Sequence, residues 1–252
     1  MPRARFKVEL IAHTPDPEKW IAMAARTCYS AADIDGLRRA SESSDNAAYI
    51  RGVLASGHQS VIEHASFSFA IEGVSRALLA QITRHRMASF SVQSQRYVDF
   101  SGAREKRGKK GKGGFEYVLP PRVEALGPEA IERFDGQMRQ MQDWYNEWST
   151  LLGENSAEDA RFVLPQAAST RITMTMNARE LLHFFSLRCC YRAQWEINAL
   201  AGAMLDLVYP LAPTVFENAG PGCLRGPCPE GSKSCGRSAE VERRRKTRWG
   251  VG

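Results

Sequence analysis

The sequence predicts an α+β protein built from mixed helices and a mostly antiparallel sheet, and three observations carry that reading. Segments with period-2 hydrophobicity are interspersed with segments of helical period, no βαβ regularity or internal repeat orders them, and the composition is that of a chain able to bury a core: 252 residues, 43% hydrophobic, 25% charged, mean hydropathy −0.37. No compositional break marks a domain boundary. Residues 1–222 are therefore read as a single domain with a basic insertion at 102–114, followed by a cysteine-containing basic tail at 223–252.

The elements follow in order. Phe6–Ile11 is β-rich. Asp16-Pro17 supplies an N-cap and a first helical residue for a helix to about Tyr29, and Asn46–Ser56 reads as a second helix stopped by Gly57. Ala65, Phe67, Phe69 and Ile71 alternate with Ser66, Ser68, Ala70 and Glu72, the mark of a half-buried strand. After Gly73, the helical spacing of Ala77, Leu78 and Ile82 predicts a helix over Val74–His85, and Phe90–Phe100 has the composition of an extended segment. Pro128–Leu152 is a long amphipathic helix, Thr170–Met176 a strand, and Ala178–Cys190 and Gln194–Tyr209 two strongly apolar helices.

Several function classes fall away on composition. The longest apolar run, Leu200–Leu211, is interrupted by Asp206 and Pro210 and is too short for a membrane span, and the start Met-Pro-Arg-Ala-Arg-Phe-Lys lacks an apolar secretory core. A cytoplasmic setting is expected, with Cys28, Cys189, Cys190, Cys223, Cys228 and Cys235 as reduced thiols. The net charge of +6 is local: Arg104–Lys112 and Arg225–Arg248 each contribute +5, which leaves the remainder at −4. Both basic segments read as solvated surface, with nucleic-acid contact through 104–112 and the tail as the competing class.

Two stretches carry chemistry. Gln81 and Arg84 lie on one helix face, Arg84, His85 and Arg86 close that helix, and an extended continuation puts Ser94 and Arg96 on one side. Such fork donors and hydroxyls suit phosphate and nucleobase groups; the alternative is that Arg84 and Arg86 merely compensate a helix C-terminus. No GxSxG elbow surrounds Ser94, so it reads as a hydrogen-bonding group and not a nucleophile. In Leu181–Arg188, Arg188 falls in the apolar stripe with Leu181, Phe184 and Phe185, so its head group must serve a ligand or be paired, for example with Glu196.

These residues resemble a family. Arg84-His85-Arg86, seven intervening residues and Ser94 are similar to the signature of flavin-dependent thymidylate synthases, and the continuation Ser94-Gln95-Arg96-Tyr97 fits it. So do Gly57-His58-Gln59-Ser60 with Glu63-His64, Arg161-Phe162-Val163-Leu164-Pro165, Asn177-Ala178-Arg179, and Leu187-Arg188 followed by Gln194-Trp195-Glu196. The resemblance runs from about Val8 to Cys235, outside the basic insertion and the last residues.

The resemblance implies a homotetramer with sites shared between subunits that converts dUMP to dTMP, taking one carbon from 5,10-methylenetetrahydrofolate and reducing equivalents from NADPH through FAD. It implies FAD contacts from Ser60, Arg84, His85, Arg86, Val92, Asn177, Arg179 and His183, and dUMP contacts from Gln81, Arg84, Gln93, Ser94, Gln95, Arg96, Arg161 and Arg188. Arg188 is implied as the activating residue, set against the uracil ring. Val92 stands where the family often has an acidic or amide side chain, His183 where Asn is frequent, and Arg192 where His is frequent.

The residues themselves agree with this chemistry. Conventional thymidylate synthesis needs an activated thiolate, yet Cys189 and Cys190 point about 100° apart on a helix and read as core thiols. In a flavin route the cofactor carries the hard step while the protein positions and polarises. No GxGxxG fingerprint is present, so FAD must be gripped by Arg, His and Asn side chains. The spacing Cys223-x4-Cys228-x6-Cys235 lacks a CxxC pair and a fourth ligand, so free thiols are favoured over zinc and no metal is expected.

Overall fold

The computed structural model describes residues 1–43, 45–101 and 114–249. The basic insertion expected at 102–114 lies, Gly114 apart, outside the described residues. In chain order the elements are β1 (Lys7–His13), α1 (Pro17–Tyr29), α2 (Ile34–Ser43), α3 (Asn46–Ala55), β2 (Ser66–Ser75), α4 (Arg76–Ile82), β3 (Ala88–Val92), α5 (Pro121–Glu124), α6 (Pro128–Leu152), α7 (Ala157–Ala160), β4 (Ser169–Asn177), α8 (Ala178–Arg188), α9 (Trp195–Val208), α10 (Pro213–Phe216) and α11 (Ser238–Trp249). The α+β class and the antiparallel sheet expected from the sequence both hold.

The strands form one sheet in the order β1-β2-β4-β3. Side chains fix the register of its central pair: Ser68 Oγ meets Thr175 Oγ1 at 2.8 Å, and Glu72 pairs with Arg171 at 3.6 Å. Positions advance on β2 as they retreat on β4, which makes the pair antiparallel. Phe67, Phe69 and Ile71 of β2 and Ile172, Met174 and Met176 of β4 are buried, as the period-2 pattern requires.

The chain divides into two compact units, one drawn from Met1–Lys7, Ile71–Arg84 and Phe90–Thr173, the other from Val8–Ala70, His85–Ser89 and Met174–Gly252. The division falls within β2 and β4, where no linker composition exists to signal it. The first unit has a core of Phe115, Tyr117, Met138 and Ala168, with Phe100, Leu119 and Phe134 packed against it. In the second, Phe67, Phe185 and Phe216 meet edge to face at 5.7 and 6.1 Å between ring centroids, and Ile21 of α1 and Leu200 of α9 are fully buried.

Four local expectations are corrected. Val74 and Ser75 continue β2, and Ser75 Oγ caps α4 by accepting from Leu78 N at 3.0 Å, so that helix begins at Arg76 instead of Val74. It ends at Ile82, so Arg84, His85 and Arg86 follow the helix and do not form its last turn. The extended segment stops at Val92; Ser94 Oγ accepts from Arg96 N at 3.2 Å, which turns the chain where an extended run would have aligned Ser94 with Arg96. The tail carries α11, whose Val241 is buried, and not only solvated surface. Asp16 occupies the expected cap position of α1 but makes no side-chain cap bond, having a left-handed backbone at φ 43°.

Candidate active site

Two groups of predicted site residues emerge, one in each unit. In the second unit, β4 ends on Asn177, whose side chain caps α8 by accepting from Glu180 N at 2.9 Å. The pattern Asn177-x-x-Glu180 is that of a capping box, in which the Glu side chain returns to the cap residue's backbone N–H. Here Glu180 Oε1 instead lies 3.0 Å from Nδ1 of His85. The other ring nitrogen, Nε2, accepts from Arg188 Nε at 3.1 Å.

Guanidinium groups only donate, so Nε2 of His85 is unprotonated and the ring proton sits on Nδ1, directed at Glu180. His85 is 5% exposed and Glu180 9%. Burial holds the imidazole below its ordinary pKa; Glu180 pulls it upward, while Arg188 and His183 push the same way as burial. The ring sits edge-on to Phe184, with centroids 5.0 Å apart, and 5.9 Å from the His183 ring.

Beside this relay lies a cavity of about 880 Å³ whose wall includes three predicted flavin contacts, Asn177, Arg179 and His183. The sequence reading missed Arg51, Glu217 and Arg225 on the same wall, together with Glu180. The cationic groups are held by their own chain: Arg179 pairs with Glu63 at 2.5 Å, Arg51 with Glu217 at 3.0 Å, and Arg225 donates to Asn218 O at 2.8 Å. Ile62, Leu182 and Val215 add apolar lining, giving a site that combines ion pairs with apolar side chains. Ser60 follows wall residue Gln59, while His85 lies behind the wall and Arg86 is exposed. The Glu180 signal was present as the capping-box spacing, which conceals any other use of the side chain.

The first unit gathers Gln81, Arg84, Val92, Gln93, Ser94, Gln95, Arg96 and Arg161. The carboxylate of Glu158 takes Arg96 at 3.0 Å, and its backbone carbonyl accepts from Arg161 Nε at 2.9 Å, so one residue of α7 holds both guanidinium groups. Gln93 N donates to Arg171 O at 2.9 Å, Arg76 donates to Gln93 O at 3.4 Å, and Gln81 Nε2 donates to Ala77 O at 3.3 Å. Burial holds the Arg76 guanidinium below its usual value, with Arg161 adding to the effect. Arg96 also borders a cavity of about 520 Å³ with Tyr97, Asn146 and Ser149. Arg84 is exposed.

All six cysteines are free thiols. Among the described residues, the group of His, Cys, Asp and Glu with ligand atoms within 4.8 Å of one another is His85, Glu180 and His183, and the tail thiols form none. The tail's basic residues turn onto their own chain: Arg248 pairs with Asp206, Arg245 donates to Asn218 at 3.1 Å, and Arg237 pairs with Glu240 at 2.7 Å. No described helix is long and apolar enough to cross a membrane.

A mixed α+β chain that lines a cavity with guanidinium, amide and imidazole groups, and holds further guanidiniums through Glu158, presents the donors that anionic small molecules bind. The family described as "Thymidylate synthase complementing protein" matches residues 9–214. A flavin-dependent thymidylate synthase of Geobacter sulfurreducens is 53% identical over 94% of this chain and 97% of its own, and one of Nitratidesulfovibrio vulgaris is 47% identical over the same shares. The crystal structure of the flavin-dependent thymidylate synthase ThyX from Helicobacter pylori, complexed with FAD and dUMP, superposes with a TM-score of 0.59 at 25% identity, covering 85% of this chain and 99% of that one. The chain belongs to the flavin-dependent thymidylate synthase family.

Proposed function

We propose that this chain catalyses the reductive methylation of dUMP to dTMP, with 5,10-methylenetetrahydrofolate as carbon donor and NADPH as reductant through FAD. The observation that carries the reading is the meeting of Asn177, Arg179 and His183 on one cavity wall in a chain of this family. A volume of about 880 Å³ lies within the range of cofactor sites, and the guanidiniums of Arg51, Arg179 and Arg225 beside apolar Ile62, Leu182 and Val215 suit a molecule with an anionic linker and a flat ring. We assign Ser60, Arg84, Arg86, Val92, Asn177, Arg179 and His183 to holding FAD, with His85 standing behind them, its ring nitrogens engaged by Glu180 and Arg188. Bound there, the flavin supplies the two-electron chemistry that links NADPH to the transferred carbon.

We assign dUMP to Gln81, Arg84, Gln93, Ser94, Gln95, Arg96, Arg161 and Arg188. Arg96 and Arg161 are fork donors for its phosphate, each already aimed by Glu158. Arg188 is the catalytic residue: its half-buried guanidinium, held by His85, stabilises negative charge developing on the uracil ring more strongly than a solvated cation would. The proposal includes a homotetramer with sites shared between subunits, working in the cytoplasm. The test is a purified yellow protein that forms dTMP from dUMP with methylenetetrahydrofolate and NADPH. Arg188→Ala is expected to abolish turnover with FAD retained, and full activity in that variant overturns the assignment.

A further inference from the structure

We propose that Glu180 is a positioning residue for turnover: its carboxylate fixes the tautomer and orientation of His85 and, through that ring, the direction of the Arg188 guanidinium. This rests on the reading that Arg188 acts on the uracil ring, and goes beyond it by naming what aims Arg188.

Glu180 and Arg188 lie eight residues apart on α8, about 12 Å along the helix axis, too far for a direct pair. His85 spans the gap, with Nδ1 3.0 Å from the carboxylate and Nε2 3.1 Å from Arg188 Nε. A neutral imidazole has two tautomers of similar energy, and only the one protonated on Nδ1 can accept from arginine. At 5% exposure the ring has little water to settle that choice, whereas an acceptor placed against Nδ1 settles it. The same logic makes the buried aspartate of a Ser-His-Asp triad hold its histidine in one tautomer. Here the imidazole moves no proton; it is a fixed acceptor for a cation.

A purely structural role would be served as well by an apolar pair, because a buried carboxylate next to a buried imidazole recovers little net stability. Glu180 also forgoes the usual return of a capping-box glutamate to the helix start, with Oε1 directed at His85 instead. Phe184 fixes the ring from the side, edge-on at 5.0 Å. Three residues of one helix thus set one ring in one direction.

The experiment compares Glu180→Gln and Glu180→Leu with wild type as flavin-loaded full-length protein, measuring kcat, KM for dUMP, flavin content and the pH profile. Glu180→Leu is expected to lower kcat per bound flavin about tenfold or more, the loss typical of a hydrogen bond to a charged group, with KM for dUMP within about twofold. The charged and titratable groups facing His85 are Glu180, Arg188 and His183. Protonating His85 turns Nε2 into a donor against Arg188, so kcat falls at acid pH. Glu180→Gln removes the charge that favours protonation, and its acid limb is expected at lower pH than that of wild type.

A Glu180→Leu kcat within twofold of wild type overturns the proposal, as does a loss that merely tracks lost flavin. If Glu180→Leu does not fold, a Glu180→Gln acid limb at the wild-type position overturns it. Absence of dTMP formation by wild type sinks the functional reading instead, and 15N shifts of His85 then decide the relay. A proton on Nδ1 in wild type that redistributes to Nε2 in Glu180→Leu supports it; an unchanged tautomer overturns it.

Discussion

Arg96 and Glu158 form a two-pronged ion pair, Nε to Oε1 at 3.0 Å and Nη2 to Oε2 at 3.1 Å. Both side chains are about half exposed, so the pair contributes at most about 1 kcal/mol to folding. Its consequence lies in the direction it gives the Arg96 guanidinium. Glu158→Ala is expected to raise KM for dUMP severalfold while Tm stays within about 2 °C of wild type. Steady-state kinetics with a thermal melt check this, and a lowered KM would show that the carboxylate competes with the nucleotide.

The buried His85 makes stability depend on pH. Its folded-state pKa lies below the ordinary value, chiefly through burial, so in a window beneath about pH 6.5 the unfolded chain binds a proton that the folded chain refuses. Stability from this group is therefore complete above that value and is lost as pH falls through the window. Denaturant melts between pH 7.5 and 5 are expected to show this decline, and His85→Asn to flatten it. A variant with the wild-type slope would place the proton uptake elsewhere.

Cys189 adjoins Arg188 in sequence, yet its thiol is pushed up to about 12 by burial. A thiol in that state supplies almost no thiolate at neutral pH and is no nucleophile for a uracil ring. Iodoacetamide at pH 8 is expected to label the exposed Cys28 and Cys235 rapidly and Cys189 last. Cys189→Ala should retain turnover. Peptide mapping follows the labelling, and rapid modification of Cys189 in the native protein would refute the assignment.

Gly73 sits in β2 with φ 71°, and a Cβ there would collide with the backbone carbonyl of Arg5. Both the left-handed backbone and the close approach exclude a side chain. Gly73→Ala is expected to cost about 2 to 4 kcal/mol and to lower Tm by about 5 to 10 °C. A Tm within about 2 °C of wild type would mean that the Arg5 segment yields at little cost.

Much of the architecture was legible because it is written in local periodicity. Pro128 at the start of α6, the alternation through Phe67 and Phe69 in β2, and the helix beginning at Ala178 all follow from neighbouring residues. Local rules failed where the context was tertiary. Glycine at position 73 reads as a strand end, yet β2 passes through it, with a positive φ that glycine adopts freely and the Arg5 backbone too close to admit a side chain. Ile34–Ser43 escaped notice because Asp35, Gly36 and its many polar side chains read as loop, while Leu37 and Ser41 are in fact buried.

The sequence by itself determined the family, through blocks of residues whose identity is legible wherever they sit, and those blocks include Asn177, Arg179 and Arg188. Only the tertiary structure decided which groups hold them. His85 stands 95 residues from Glu180 and 103 from Arg188, and a hydrogen bond needs its partners placed to a few tenths of an ångström. Helical and strand periodicities reach only a few residues along the chain; that placement is set by the packing of a whole core.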